Sequence, residues 1–387
     1  MKSEAHFVLA TPARSPADPF GVALENHGFL RLVALGTRRG IVGIPPERTN
    51  LNPLIGLCAY AATLVLSSFQ AESFRFHLLP WFDRWAVKQL QPGDHVISSY
   101  GYANECFAWV RARGGKTFID AGNSHIEHYW QIVAEEYARW NCSLPPFPTY
   151  WYERGKAMLP LTDYVLSPSS FVTRSFLDRG FKPEQILQNI YPVDLDCFSP
   201  MPEPRPANRP LTIISTGGVS LRKGTPYLLE AFRSIRRTHP SARLLLTNLV
   251  HDSMRPLLRR WSDLPIEWVP LLPHARLAEH LRQGDVFVLP SLEDGFARTV
   301  TEALACGLSV VTTANTGACD HVIPGVNGEI VPLRDATAIA TAVLTCFERT
   351  CAEGRPPLTD LQRRLSFATF EQDFLTQLEK LGLVPGS

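Results

Sequence analysis

Short apolar runs alternate with amphipathic stretches along the whole chain, and the alternation predicts its elements. In the first half, His6–Thr11 (HFVLAT), Asp94–Ser98 (DHVIS), Lys116–Asp120 (KTFID) and Tyr164–Leu166 read as strands. Helical composition lies near Val22–His27 and over Glu105–Arg113. The second half restarts the pattern with Leu211–Thr216, Arg243–Leu246, Ile266–Val269, Val286–Leu289 and Ser309–Thr312, and Glu329–Val331 adds a short later strand. Tyr227–Arg237 and Thr299–Cys306 are the clearest helices between them. Strands alternating with helices predict parallel, doubly wound sheets. Met201–Pro210 (MPEPRPANRP) is rich in proline and charge and reads as a linker. The predicted organisation is therefore α/β: a Rossmann-like domain over 1–200, the linker 201–210, and a second Rossmann-like domain over 211–366. At 367–387 a terminal helix follows, with Phe367, Phe370, Phe374, Leu375 and Leu378 on one face. Two such halves place a ligand cleft between the domains, at the carboxyl ends of both sheets.

Composition narrows the function classes. A chain of 387 residues fits two α/β domains, and 45% hydrophobic with 19% charged residues describes a globular protein. The formal net charge of +1 supplies no field for nucleic acid. Eight cysteines without a C-x-x-C pair suggest neither a disulfide framework nor a zinc site. The first residues show no signal-peptide core, and the expected location is cytoplasmic. Leu51–Gln70 carries no charge, yet Asn52, Pro53 and Gly56 dilute it. It reads as a buried or membrane-facing helix rather than a span, leaving peripheral contact at the inner membrane face open. Neither half has G-x-G-x-x-G after its first strand, which argues against a dinucleotide dehydrogenase.

The chemistry concentrates in Asp285–Gly307 (DVFVLPSLEDGFARTVTEALACG). A buried strand ends at Pro290 and Ser291, Gly295 turns the chain, and a helix opens at once. Its free N–H groups and dipole favour a phosphate above the sheet. Asp294 lies in the turn and Glu302 in the helix, so one carboxylate can meet a ligand at the strand end and the other a hydroxyl pair.

This segment resembles the donor-site motif of glycosyltransferase family 4, P-S-x-x-E-G-F-G-x-x-x-x-E-A-x-A-x-G. Pro290, Ser291, Gly295, Phe296, Glu302, Ala303, Ala305 and Gly307 fall on its marked positions, with Asp294 where the family has Glu and Ala297 where it has Gly. Ser215–Phe232 resembles the family's G-R-x-x-x-x-K-G loop: Lys223 and Gly224 match, Gly218 stands at the Arg, and Arg222 and Arg298 are candidates to replace that cation. Thr162–Pro200 resembles the unit that closes the first domain.

The resemblance implies a GT-B fold, with two Rossmann-like domains about a cleft and the last helix returning to the first. It implies a retaining, metal-independent glycosyltransferase that uses a UDP- or GDP-sugar as substrate and needs no cofactor. The acceptor would be a glycan or lipid-linked hydroxyl in glycan, polysaccharide or glycolipid synthesis. By the same resemblance Lys223 and the N–H groups of Ala297, Arg298 and Thr299 hold the diphosphate, and Gly295 and Phe296 join the nucleotide-sugar-binding turn, with Arg222 a candidate beside them. Glu302 binds the ribose. Asp294 contacts the transferred sugar with a strand-end histidine, His125 by best match and His128 next, beside Asp120. Two alternatives stand: a GT-B-like sugar-nucleotide epimerase, and a catalytically weakened nucleotide-sugar-binding protein.

Overall fold

The computed structural model describes residues 6–13, 15–37, 40–66, 74–144, 146–201, 209–356 and 359–386. Two parallel sheets organise them. The first has the order β3-β2-β1-β4-β5-β6-β7, built from β1 (His6–Thr11), β2 (Leu30–Leu35), β3 (Thr49–Leu51), β4 (Asp94–Ser99), β5 (Thr117–Asp120), β6 (Tyr164–Ser167) and β7 (Ile186–Gln188). The second runs β10-β9-β8-β11-β12-β13, from β8 (Thr212–Ser215), β9 (Arg243–Thr247), β10 (Ile266–Val269), β11 (Val286–Leu289), β12 (Ser309–Thr313) and β13 (Gly328–Val331). Helices cover both faces of each sheet, which is why β11 (VFVL) is buried at every position.

In both sheets the strand order reverses beside the first strand, between β1 and β4 and again between β8 and β11. Such a reversal opens a crevice at the carboxyl ends of the two strands, because their crossover helices leave on opposite faces. The segments after β8 and β11 therefore meet at one place. Val286 pairs with Ile213 on one side and with Ser309 on the other, so β11 brings its turn to the middle of the sheet.

Seven helices matter to the cleft: α1 (Asp18–Asn26), α2 (Pro53–Val65), α3 (Ile126–Arg139), α4 (Ser170–Leu177), α5 (Thr225–Thr238), α6 (Arg298–Ala305) and α7 (Phe367–Lys380). Ser366 caps α7 by accepting from Thr369 N at 3.2 Å. The buried face of α7 packs on α1, with Phe20 4.9 Å from Phe370 and 4.8 Å from Phe374 between ring centroids. The last helix thus closes the first domain. Of the linker 201–210, residues 202–208 lie outside the described ones, as do 67–70 of the uncharged 51–70 stretch. Within that stretch α2 is helical and leaves Leu54, Tyr60, Leu64 and Val65 exposed. No helix among the described residues is long and apolar enough to cross a membrane.

The two cores exchange side chains. Val133 and Tyr137, from α3 of the first domain, sit in the core of the second beside Leu228 and Phe232. Phe296, from the turn after β11, sits in the core of the first beside Phe20, Tyr191 and Phe370.

Candidate active site

The second-domain wall begins with the loop after β8. Gly224 has φ +68 and opens α5, and a Cβ there would lie 2.0 Å from Pro290 O. Only glycine lets this loop pass under the end of β11. The close passage carries Lys223 to Asp294, and the ammonium and carboxylate form an ion pair across 71 residues of sequence. Arg222, beside it, donates from Nη1 to Glu293 O at 2.8 Å and to Glu293 Oε2 at 3.2 Å. Burial pulls the Lys223 ammonium below its usual range, and Asp294 opposes that shift. Asp294 is held by its backbone too, donating to Asn315 O at 2.9 Å and accepting from Gly317 N at 2.8 Å. The acidic turn is therefore a fixed platform.

Helix α6 leaves this platform through Ala297, whose φ of +60 and ψ of +67 are left-handed. That geometry explains why the resembling family places Gly here: an L-residue with a Cβ carries about 1–2 kcal/mol of steric cost in it. Gly218, where the family has Arg, likewise has φ +96. The first N–H groups of α6 open beside the loop after β8, since a Cβ on Gly217 would touch Thr299 Oγ1 at 3.7 Å. Three buried polar atoms at this edge have no hydrogen-bond partner among the described residues: Thr216 Oγ1 at the end of β8, Ser291 Oγ at the end of β11, and Glu302 Oε2 on α6. Burial pushes the Glu302 carboxyl up to about 7, with Arg298 pulling the other way. Buried polar groups left without a partner call for an explanation, and a polar ligand at this edge would supply one.

The first-domain wall lies opposite. Asp120 ends β5 buried, accepting from the Tyr191 hydroxyl and from Ser99 Oγ at 3.1 Å. Desolvation raises its carboxyl to about 6 against the pull of those bonds. It lines a cavity of about 130 Å³ with Ser15, Ser99, Tyr100 and Asn123. The Tyr100 hydroxyl is buried without a partner among the described residues. Arg298 reaches this wall, with Nη2 3.3 Å from Pro16 O and its guanidinium 5.1 Å from the Tyr191 ring centroid.

The walls touch. A Cβ on Gly295 would lie 2.3 Å from Gly122 O, so only glycine lets the acidic turn rest on the first domain. Ser169 Oγ donates to Gly295 O at 2.7 Å, and Ser170 N and Oγ donate to Asp320 at 2.7 and 2.6 Å.

Lys223, Arg222, Asp294, Gly295, Phe296, Ala297, Arg298, Thr299 and Glu302 are thus gathered at one junction, although Phe296 turns its ring into the first domain. The imidazole of His125 has a structural job beyond the sequence expectation. It is the N-cap of α3, with Nδ1 accepting from Glu127 N at 3.3 Å. Its ring lies edge-on to Phe176, 5.1 Å away, and burial holds it neutral with its pKa down at about 4. His128 packs on Phe171 at 5.7 Å. Glu293, Tyr191 and Tyr100 join the site unheralded by the sequence motifs. Glu293 had a signal, standing next to Asp294 in a turn where paired acids need two cations. The others had none, because their roles arise from first-domain strand ends that sequence does not bring together.

With this geometry in place, the likenesses to known proteins become informative. Residues 210–349, the second sheet with its helices, match the family described as Glycosyl transferases group 1. The chain carries a glycosyl transferases group 1 domain. Among curated relatives, it is 30% identical over 226 residues to a GDP-mannose-dependent alpha-(1-6)-phosphatidylinositol monomannoside mannosyltransferase of Mycolicibacterium smegmatis, an alignment covering 50% of this chain and 58% of that one. The chain spans about half the length of the curated relatives it matches first. As a fold it resembles the sucrose-phosphate synthase of Thermosynechococcus elongatus, with TM-score 0.69 at 19% identity over 98% of this chain and 99% of that one. It also resembles Anabaena HepE in complex with UDP-glucose, with TM-score 0.64 at 14% identity over 97% and 99%. The architecture is GT-B: two Rossmann-like domains facing one another across a cleft.

Proposed function

We propose that the protein is a retaining glycosyltransferase that moves a sugar from a nucleoside-diphosphate sugar to an acceptor hydroxyl. The observation that carries this reading is the Lys223–Asp294 pair at the carboxyl edge of the second sheet, beside the opening turn of α6. A cation held by a carboxylate at this edge is ready to exchange that partner for diphosphate oxygens. Released from Lys223, Asp294 can accept hydrogen bonds from the transferred sugar. The N–H groups of Ala297, Arg298 and Thr299 supply the second anion contact. Glu302, whose Oε2 has no hydrogen-bond partner among the described residues, suits a ribose hydroxyl pair. A mannosyltransferase relative named as GDP-mannose-dependent and a fold relative holding UDP-glucose support a nucleotide sugar as donor.

The reaction asks little covalent chemistry of the protein. The bond between the sugar's anomeric carbon and the diphosphate oxygen breaks, and the electron pair leaves with the diphosphate. Lys223 and the α6 N-terminus stabilise the charge that develops there. The acceptor oxygen forms its bond from the leaving-group face and passes its proton to the departing phosphate oxygen. The cavity beside Asp120 and Tyr100 is where acceptor or sugar hydroxyls would enter. A lipid-linked acceptor is favoured by α2, whose exposed Leu54, Tyr60, Leu64 and Val65 offer apolar contact at a bilayer surface. The location proposed with this contact is the cytoplasm, at the inner face of the membrane.

The test is a thermal-shift panel of nucleoside diphosphates followed by transfer assays with the matching nucleotide sugar. A ligand at a hundred times its Kd should add about 2.7 kcal/mol of apparent stability. Lys223→Ala should keep the fold and lose roughly a hundredfold or more in turnover, as expected for one preorganised electrostatic group. A panel with no stabilising nucleotide would remove the donor site. Turnover of the donor without any acceptor would favour an epimerase, and binding without turnover a non-catalytic protein.

A further inference from the structure

The two cations after β8 differ in what holds them. Asp294, the partner of Lys223, pairs across the cleft edge and is 7% exposed. Glu293, the partner of Arg222, is fully buried and is held from both domains. Its Oε1 accepts from Ser124 N at 2.9 Å and from Ser124 Oγ at 3.0 Å, and its Oε2 accepts from Asn123 Nδ2 at 3.2 Å. These three donors belong to the first domain, in the loop between β5 and α3. Arg222 approaches from the second domain and also lies 5.8 Å from the Tyr129 ring centroid, on α3.

We infer that Glu293 is a positioning residue that locks the 122–125 loop of the first domain to the Arg222–Lys223 loop of the second, and so sets the cleft width at which transfer occurs. A buried carboxylate costs several kcal/mol unless paired and hydrogen-bonded. Glu293 meets that requirement only while both domains supply donors. Opening the cleft by a few ångströms would strip away the Ser124 and Asn123 bonds and leave the carboxylate with Arg222 alone. The closed arrangement is thereby favoured, and its closeness is set by the glycine contact between Gly295 and Gly122. The division of labour follows. Arg222 is committed to the lock, whereas Lys223 is free to change partners when a diphosphate arrives.

The proposal separates from a merely structural role. Glu293→Gln keeps the shape but removes the charge that Arg222 and the Ser124 amide both need. By hydrogen exchange in the nucleotide-free, full-length protein, the backbone amide of Ser124, which donates to Glu293 Oε1, should exchange about tenfold faster, because a charge-assisted bond is lost. Strands β8 and β11 should keep their protection. In transfer assays kcat should fall about tenfold while the nucleotide Kd stays within about twofold, because Lys223 and Glu302 are untouched. The exchange measurement stands even if the transfer reading fails, since it needs no substrate. A Glu293→Gln protein that loses thermal stability alone, with unchanged exchange at the Ser124 amide and unchanged kcat, would overturn the inference. Should Glu293→Gln fail to fold, Ser124→Ala decides: it removes one first-domain donor and should give the same pattern, more weakly. Wild-type exchange in Ser124→Ala would also overturn it.

Discussion

At the scale of single residues, the site is built from side chains kept out of their comfortable states. Burial holds the Glu302 carboxyl at about 7 against an ordinary 4.5. The folded protein therefore keeps a proton between those two values that the unfolded chain has released. Glu302 thus contributes its full stability below about 4.5, and that contribution is lost as pH rises through about 7. Glu302→Gln should remove this slope: the variant gains on the wild type from pH 5 to pH 8 in denaturant titrations. Nucleotide affinity should run the other way. Ribose hydroxyls donate to the ionised form, so wild-type calorimetric Kd should tighten from pH 6 to pH 8 beyond the change seen in Glu302→Gln. Equal pH dependence in the two proteins would take Glu302 out of the ribose site. Ala297 carries a different strain, its φ of +60. Ala297→Gly relieves about 1–2 kcal/mol of left-handed cost but frees the unfolded chain by about 0.4–1 kcal/mol. A net gain of roughly 0.5–1 kcal/mol in denaturant unfolding is expected, and a loss would mean the turn is not left-handed in solution.

At the scale of elements, α3 carries more than its share. The loop that leads into it meets the acidic turn through Ser124, and its other end is fastened in the second domain by Glu136. That buried carboxylate accepts from Trp140 Nε1 at 2.8 Å, from the Tyr227 hydroxyl at 2.6 Å and from Arg334 Nε at 2.7 Å. Removing one partner of a buried ion pair strands the other, so Glu136→Ala should cost about 3 kcal/mol by equilibrium unfolding. A cost below about 1 kcal/mol would show that α3 is not anchored there. None of this was legible beforehand. The alternation of strands and helices followed from the periods of 2 and 3.6, and the second-domain segments of the candidate site stood out because Lys223-Gly224 and Asp294–Glu302 are local patterns. The edge strands β3 and β7 have three residues each, too few to display a period. His125 read as a cleft residue because position after a strand was visible, but its ring's packing against Phe176 and its capping bond were not. Glu293 became functional only through loops from two domains, a contact that spacing in one chain does not encode.

At the scale of the molecule, each domain is finished by a piece of the other. Phe296 belongs to the acidic turn of the second domain, yet it is 2% exposed and packs edge-on to Tyr191 at 5.3 Å inside the core of the first. The turn that presents Asp294 is thus plugged into the wall it faces. Cleft geometry and global stability should be coupled through this ring. Phe296→Ala leaves a cavity in the first core and removes the plug, which by large-to-small precedent costs about 3–5 kcal/mol. Part of that cost should appear as lost cooperativity. The wild type should unfold as one unit, whereas the variant should unfold in two steps, the first domain melting earlier because its core holds the cavity. Calorimetry on both full-length proteins reads the result directly. The donor wall should stay intact, so nucleotide should still raise the later transition of Phe296→Ala and leave the earlier one in place. A single transition shifted by less than about 1 kcal/mol would mean that Phe296 does not hold the domains together, and that Glu293 and Glu136 carry the junction without it.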